Sequence, residues 1–408
     1  MANFVKIIQM KETLTKLQTI IILDNLSLLV FLMVVIIGWS ILQFSKNYLD
    51  GESNKIRFIK NIFLTLCSIS LLIFSGNLIL LWLSWVATSL FLHQLLIHYP
   101  ERPKAQFAAK KKFILARIGD LFLMISFYLL YNELGTLEII EIINTLENIN
   151  DYSIRLEISG ILLVLAAILK SAQIPFQGWL LEVMEAPTPV SALLHAGLIN
   201  AGPFLIIRFY ALLEYSLFAA PLLSVWAATT AFLATIIFTT QSKIKTSLAY
   251  SSIAHMGFSL FLASLGLYSA SLLHLIAHSF YKAYSFLSSG NTIRKTQEYN
   301  ANKWSRSFQK MIPVYSRSSF AKILQRILIL MVIYFLLETS INWTLNIPQA
   351  DLQIILYLYA GLLIFYIIKL IGYRTKFIQK SEFLFRLGIH ARNGFYLSQI
   401  FRNIFKIS

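Results

Sequence analysis

Charge is what this chain has least of. Only 13% of its 408 residues are Asp, Glu, Lys or Arg, against 57% hydrophobic. A soluble domain of that length needs far more polar surface, so the composition leaves a protein that crosses a membrane many times. Cysteine is nearly absent. Cys67 stands alone inside an apolar run, which excludes a disulfide framework and a cysteine-rich metal site. Short alternating segments of the barrel kind are missing, so the spans are helical. No phosphate loop, nucleotide fingerprint, haem ligand pair or catalytic triad occurs, so the chain reads as a transport subunit with no cofactor of its own rather than an enzyme. No Gly/Ser linker or low-complexity tract divides it. The first long apolar run exceeds a signal-peptide core and no small-residue cleavage site follows, so a cleaved leader is not expected.

What the chain does have is long oily runs. Eleven lie near 20–44, 57–75, 77–98, 113–131, 157–184, 188–213, 219–240, 246–266, 269–292, 322–341 and 352–373. Each is close to the ~20 residues that cross a bilayer as a helix. The expected fold is an all-α polytopic bundle with at least one broken helix. Residues 1–17 form a charged lead-in, 18–373 the transmembrane domain and 374–408 a basic tail. The formal net charge is +16. Lys and Arg concentrate in 99–113, 241–245, 294–322 and 373–408. Eleven spans put all four on one face, which the positive-inside rule makes cytoplasmic. The Glu-rich connection 132–157 then falls opposite. Lys6, Lys11 and Lys16 would lie outside, against that rule. A multi-pass protein of the cell inner membrane is expected.

Four stretches place polar chemistry inside the oil. In "ILLVLAAILKSAQIPFQGW" (161–179), Lys170 follows nine nearly apolar residues and Pro175 interrupts the helix five residues later. A lysine at mid-span costs about 2.5–3.5 kcal/mol on insertion scales. Such a residue faces a bundle interior or a hydrated cavity, where loss of hydration suits it to gaining and losing a proton. The bland alternative is a lysine snorkelling from a helix that ends earlier. In "LLHLIAHSFYKAYSFLSSG" (272–290), His274, His278 and Lys282 recur every fourth residue and share one helical stripe. That stripe is a candidate proton wire. Zinc is disfavoured because no carboxylate or cysteine joins the stripe, and helix–helix hydrogen bonding is the bland reading.

In "WLLEVMEAPTPVSALLHAGLINAGPF" (179–204), Glu182 and Glu185 flank the break, Pro187 and Pro189 open the next span, and His195 lies two turns into it. In "FILARIGDLF" (113–122), Asp120 lies within a span one turn from Arg117. It either pairs with that arginine or tunes a neighbouring lysine. His255 is a weaker candidate of the same kind. Spans five and nine each carry a buried lysine, yet their similarity is too slight to establish a repeat.

In this order the stretches resemble the antiporter-like membrane subunits of complex I and of cation/proton antiporters. The resemblance is carried by "LYNELGTL" (130–137), "KSAQIPFQGWL" (170–180), "PTPVSALLHAG" (187–197), "KTSLAYSSIAHMGF" (245–258) and "HLIAHSFYKAYSFLSSG" (274–290). It implies a proton or cation path, with family roles falling on Lys170 and Lys282 as proton-carrying lysines, on Asp120, and on His195, His274 and His278 as relay groups. One departure matters: respiratory members carry a glutamate in the third span paired with the first lysine, and here Val86 stands there, with no acid between Asn77 and His98. "HQLLIHYPERPKAQFAAKKKFILARIGD" (93–120) and "HARNGFYLSQIF" (390–401) look like the membrane subunit of the DAB inorganic-carbon pump, the DabB family. That resemblance implies a large cytoplasmic zinc-containing partner, DabA, similar to β-carbonic anhydrase. Cation flow would drive hydration of carbon dioxide to bicarbonate there, with the basic loops and tail as the docking face and the zinc in the partner. The alternatives are a respiratory or multisubunit antiporter component, or a membrane anchor whose channel is dead.

Overall fold

The computed structural model describes residues 20–99, 101–149, 151–183, 186–289 and 390. Among the described residues the regular structure is helix, apart from two isolated bridges. Helices α1 (Asn25–Tyr48), α2 (Lys55–Phe74), α3 (Leu78–Leu96) and α4 (Pro103–Leu134) come first, followed by the short α5 (Ile139–Asn148) and by α6 (Ile154–Lys170). After a break come α7 (Gly178–Glu182), α8 (Thr188–Ala196), a 3-10 turn (Leu198–Asn200), α9 (Ala201–Arg208) and α10 (Tyr210–Tyr215). The series closes with α11 (Ala219–Thr240), α12 (Ile244–Ser264) and α13 (Tyr268–Ser288).

Local chemistry sets the helix ends. The Asp24 carboxylate accepts from the Ser27 amide at the start of α1, and the Asn77 side chain accepts from the Ile79 and Leu80 amides at the start of α3. Both satisfy amides that lack an intrahelical partner. Pro103 opens α4, where its missing amide costs nothing. Gly135 closes α4 at φ 72°, the left-handed conformation that glycine adopts freely. The chain after Gly135 then pairs with the α2–α3 connection: the Leu78 amide donates to Leu137 O at 3.0 Å and the Ile139 amide to Gly76 O at 2.9 Å.

Six helical stretches are long and apolar enough to cross a membrane by length and composition: Asn25–Tyr48, Lys55–Phe74, Leu78–Leu96, Ala105–Leu134, Thr188–Arg208 and Ala219–Thr240. Helices α12 and α13 coincide with two more of the expected spans, and α6 covers only the first half of the run at 157–184. Large apolar side chains such as Trp39, Val225 and Phe232 project outward at 65%, 70% and 64% exposure. A contiguous outward apolar surface of this kind fits a lipid-facing wall. The centre is α8, all nine of whose residues are buried. It packs against α1 and α13, while α4 packs on α6 and α11 on α12. The last contact is close because Gly257 lacks a side chain; a Cβ there would lie 2.8 Å from the Ala231 amide nitrogen.

Buried charges outside the four stretches have structural partners. The Glu157 carboxylate accepts from the Ser216 hydroxyl and from the Leu217 and Phe218 amides, which fixes the entry to α11. Arg208 donates to Asp24 and, at 2.7 Å, to Ser27, tying α9 to α1.

Several expectations change. The run at 113–131 is the outer part of a 32-residue helix that starts at Pro103, so most of the basic stretch 99–113 is helix rather than loop. Its apolar spacing explains this: Ala105, Ala108, Ala109 and Leu115 are all buried along one side. The connection 132–157 contains α5, which buries Ile139, Ile142 and Leu146. The run at 188–213 is three helices, interrupted at Gly197 and at Phe209. The runs at 322–341 and 352–373, the lead-in 1–17, and the tail 374–408 apart from His390 lie outside the described residues, as does Glu185.

Candidate ion-translocation site

The oddity at 161–179 resolves differently from the expectation. Helix α6 ends at Lys170, five residues before Pro175. Pro175 therefore lies within the break rather than starting it. Ala172 takes a left-handed φ of 51°, and the Ser171 amide folds back to Ala167 O at 3.0 Å. Residues 171–177 cross the interior without helix, and Ser171, Gln173 and Gln177 are completely buried there. Such irregular backbone is tolerated at membrane depth only where protein satisfies it. The Trp226 indole donates to Ile174 O at 2.7 Å, and Gln173 donates to Ser171 O. Gly202 of α9 lies so close that a Cβ there would meet Ser171 Oγ at 1.9 Å.

Lys170 thus sits at a helix C-terminus, where the macrodipole favours a cation. It does not snorkel to an interface. Its ammonium turns inward to α3, 3.3 Å from Thr88 Oγ1, 3.4 Å from Trp85 O and 4.3 Å from the Trp85 ring centroid. It lines a cavity of about 30 Å3, enough for a water or two, together with Trp85, Ser89, Lys112 and Trp179.

The acid near Lys170 comes from α4. Asp120 is 4% exposed. Its carboxylate lies 2.6 Å from an Arg117 guanidinium nitrogen, a charge contact without hydrogen-bond alignment. Gly119 brings α4 against the end of α6, 3.6 Å from Leu169 Cβ for an added side chain. Asp120 consequently sits within electrostatic reach of Lys170, Arg117 and Lys112. The carboxylate thus contacts Arg117 and lies near both lysines, the arrangement that each of the two readings requires.

Lys112 is the residue that sequence reasoning missed. Counted with the cytoplasmic basic cluster, it is instead buried, and its ammonium donates to Ser89 O at 2.8 Å and to Ser89 Oγ at 2.7 Å. A signal was available. Ala108, Lys112, Leu115 and Gly119 share one helical face at the i, i+4, i+7, i+11 spacing, and that face is otherwise small or apolar. The adjacent Lys111 is also buried and pairs with Glu182 of α7 at 2.7 Å.

The second group gathers on α8, α12 and α13. Lys282 is 0% exposed, and its ammonium donates to Leu248 O of α12 at 2.9 Å. His274 and His278 do share a stripe, but their ring centroids are 6.4 Å apart. His255 bridges them: its Nδ1 lies 3.2 Å from His274 Nε2, and its ring lies 5.3 Å from that of His278. His195 stacks on Phe286 at 4.4 Å. Neither its ring nitrogens nor those of His278 has a hydrogen-bond partner among the described residues. His195, His255 and Lys282 all lie within electrostatic reach of His278. Asn200 adds a bond to Ser279 at 2.7 Å. Among the described residues, Asp120 lies with Lys170 in one group, and His195, His255, His274 and His278 lie with Lys282 in another. Where the Lys170 cavity faces the α8–α9 region its walls are apolar: Leu194, Leu198 and Ile199.

Residues 75–345 match the family described as NADH:quinone oxidoreductase/Mrp antiporter, transmembrane region. Residues 13–59 match the N-terminal region of chain 5 of NADH-ubiquinone oxidoreductase (complex I). The chain is 43% identical over 251 residues to the "Probable inorganic carbon transporter subunit DabB2" of Halothiobacillus neapolitanus, covering 62% of this chain and 46% of that protein. It is 38% identical to the DabB counterpart of Hydrogenovibrio crunogenus, over 67% of this chain and 53% of that one. Against NADH-quinone oxidoreductase subunit L of Escherichia coli the identity is 35%, over 67% and 45%. The chain thus spans about half the length of these relatives. Among solved structures it is similar to the Mrp complex from Dietzia sp., with 28% identity and a TM-score of 0.62 over 66% of this chain and 30% of that one.

Proposed function

The chain belongs to the NADH:quinone oxidoreductase/Mrp antiporter transmembrane family, and on that premise we propose that it is the ion-translocating membrane subunit of an inorganic-carbon uptake complex. The ion is a proton, passed between the Lys170 group and the Lys282 group and out along the histidines. The single observation that carries this reading is the gathering of Lys282 with His195, His255, His274 and His278 on three helices. Five protonatable side chains are expensive in a membrane interior and are retained there for ion pathways. Imidazole can accept a proton on one nitrogen while donating from the other, so the series supplies consecutive stations.

The carbon-uptake reading is supported by the similarity to the two DabB proteins. Under it, the protein lies in the cell inner membrane and works with a large cytoplasmic zinc-containing partner similar to carbonic anhydrase. That partner performs the hydration chemistry and docks on the basic segments. The second reading, a respiratory or multisubunit antiporter component, is favoured by the similarity to subunit L. Growth separates the two. Lys170→Ala and Lys282→Ala, tested in the assembled complex, are expected to abolish growth in ambient air while raised carbon dioxide restores it and the complex stays intact. Undiminished growth of both variants in air overturns the proposal. Co-purification with quinone-reducing subunits instead of a zinc protein favours the second reading.

A further inference from the structure

The resemblance implies an acid at the third-span position that Val86 occupies here, and among the described residues the side chains that border the Lys170 cavity include no carboxylate. A different ionisable group has come to the same place. Lys112 projects from α4 into that cavity, is itself 6% exposed, and is anchored on Ser89, one helical turn beyond Val86. We propose that Lys112 is the proton-exchange partner of Lys170, a second amine standing where the resemblance implies an acid.

Three observations converge on this assignment. The two ammonium groups take adjacent residues of α3, Thr88 for Lys170 and Ser89 for Lys112, and both line one cavity large enough for a bridging water. Their anchoring is unequal. Among the described residues, Lys112 makes two bonds under 3 Å, whereas Lys170 makes only long contacts of 3.3 and 3.4 Å. The held amine is the fixed station and the loosely held one is free to turn toward the next. Beyond Ser89, one turn along α3, lies His93, whose Nδ1 is buried without a hydrogen-bond partner among the described residues. His93 borders a cavity of about 630 Å3 between α3 and the start of α4, lined also by Gln106 and Lys110. His93, Lys112 and Lys170 thus form a file leading inward from that opening. The other charged groups around the pair are Arg117 and Asp120 on α4, which contact each other and both act on the two amines, and Glu182 on α7, which pairs with Lys111. Chemically the step is a proton leaving one ammonium as the other amine accepts it, with no net change in the pair.

This deepens the transport reading and rests on it, so its test has one arm that measures transport and one that does not. In vesicles holding the assembled complex, Lys112→Met is expected to lower proton flux about tenfold or more. Lys112→Arg is expected to do the same, since a guanidinium keeps the charge and donors but gives up no proton. Adding Val86→Glu to Lys112→Met is expected to restore flux by supplying the acid that the resemblance implies. Wild-type flux in Lys112→Arg overturns the proposal and leaves Lys112 a fixed charge. In the second arm, 5-fluorotryptophan labelling reports on Trp85, whose ring lies under the Lys170 ammonium, assigned by Trp85→Phe. Its fluorine resonance is expected to titrate with pH, and Lys112→Met to move the midpoint by about one pH unit. An unmoved midpoint in a folded variant overturns the coupling whether or not the complex moves ions. A moved midpoint in a complex without flux supports the pair while sinking the transport reading.

Discussion

The two buried lysines solve the same problem in opposite ways. Lys170 ends a helix, and its neighbourhood mixes signs: a second lysine, an arginine and one carboxylate. Lys282 lies inside a continuous helix, gives its hydrogen bond to a backbone carbonyl, and is surrounded by groups that are neutral unless protonated. Charge at the first site meets fixed charge of both signs. At the second, imidazoles stand where charge would be received under the proposed function. The lesson is that a broken helix is needed where fixed charges must be packed, because the break supplies a helix terminus and polar backbone. A continuous helix suffices where neutral relays carry the load, because histidines four residues apart already share a face.

The sharpest way to break that contrast is to remove each amine. Lys282→Met leaves no other amine among the described members of its group, and flux in vesicles is expected to fall about 100-fold or more. Lys170→Met leaves Lys112 in the same cavity, so a residual flux about tenfold below wild type is expected. Equal losses at the two sites would show that the neighbouring lysine contributes nothing. Next in size, Asp120→Asn is expected to lower flux about tenfold and also the melting temperature of the complex, since it leaves Arg117 without its buried counter-charge. The double variant Asp120→Asn with Arg117→Gln is expected to recover the melting temperature but not the flux. Recovery of both would reduce Asp120 to a structural ion pair. Within the second group, His255→Phe is expected to cost more flux than His274→Phe, because His255 alone contacts both stripe histidines. The reverse order would place the exit through His274 directly.

Much of this was legible in the sequence for a physical reason. Long apolar runs and intramembrane charges are strong signals because the bilayer penalises exceptions to them. Lys170, Lys282, Asp120 and the histidines were all visible as polar residues in oily surroundings. What misled was adjacency. Lys110, Lys111 and Lys112 read as one cytoplasmic cluster, yet a helix sends consecutive residues to different faces: Lys110 is exposed, Lys111 pairs with Glu182 and Lys112 enters the cavity. The break was misplaced by the same kind of shortcut. Pro175 is the conspicuous breaker, but the left-handed Ala172 and the close approach of Gly202 are tertiary features that no local propensity announces. His255 was underrated because its partners lie on the next helix.

The smallest effect tests whether the two groups are joined through the break. Lys111 and Glu182 tie α4 to α7, the short helix that follows the non-helical stretch, at 2.7 Å. The Lys111 side chain is buried and rests over the Phe107 ring at 4.3 Å, while the Glu182 side chain is 27% exposed. Glu182→Gln keeps an oxygen that can accept from the ammonium and removes only the charge. A partly exposed pair is worth about 1 kcal/mol or less. If the pair merely holds α7 in place, flux is expected to stay within about fivefold of wild type, the factor that ~1 kcal/mol represents, and the melting temperature is expected to fall slightly. A tenfold loss of flux in a complex that melts normally would mean that Glu182 carries charge. The mixed-sign group would then extend past Lys170 onto the far side of the break, and the contrast between a fixed-charge site and a histidine relay would give way to a single path running through residues 171–182.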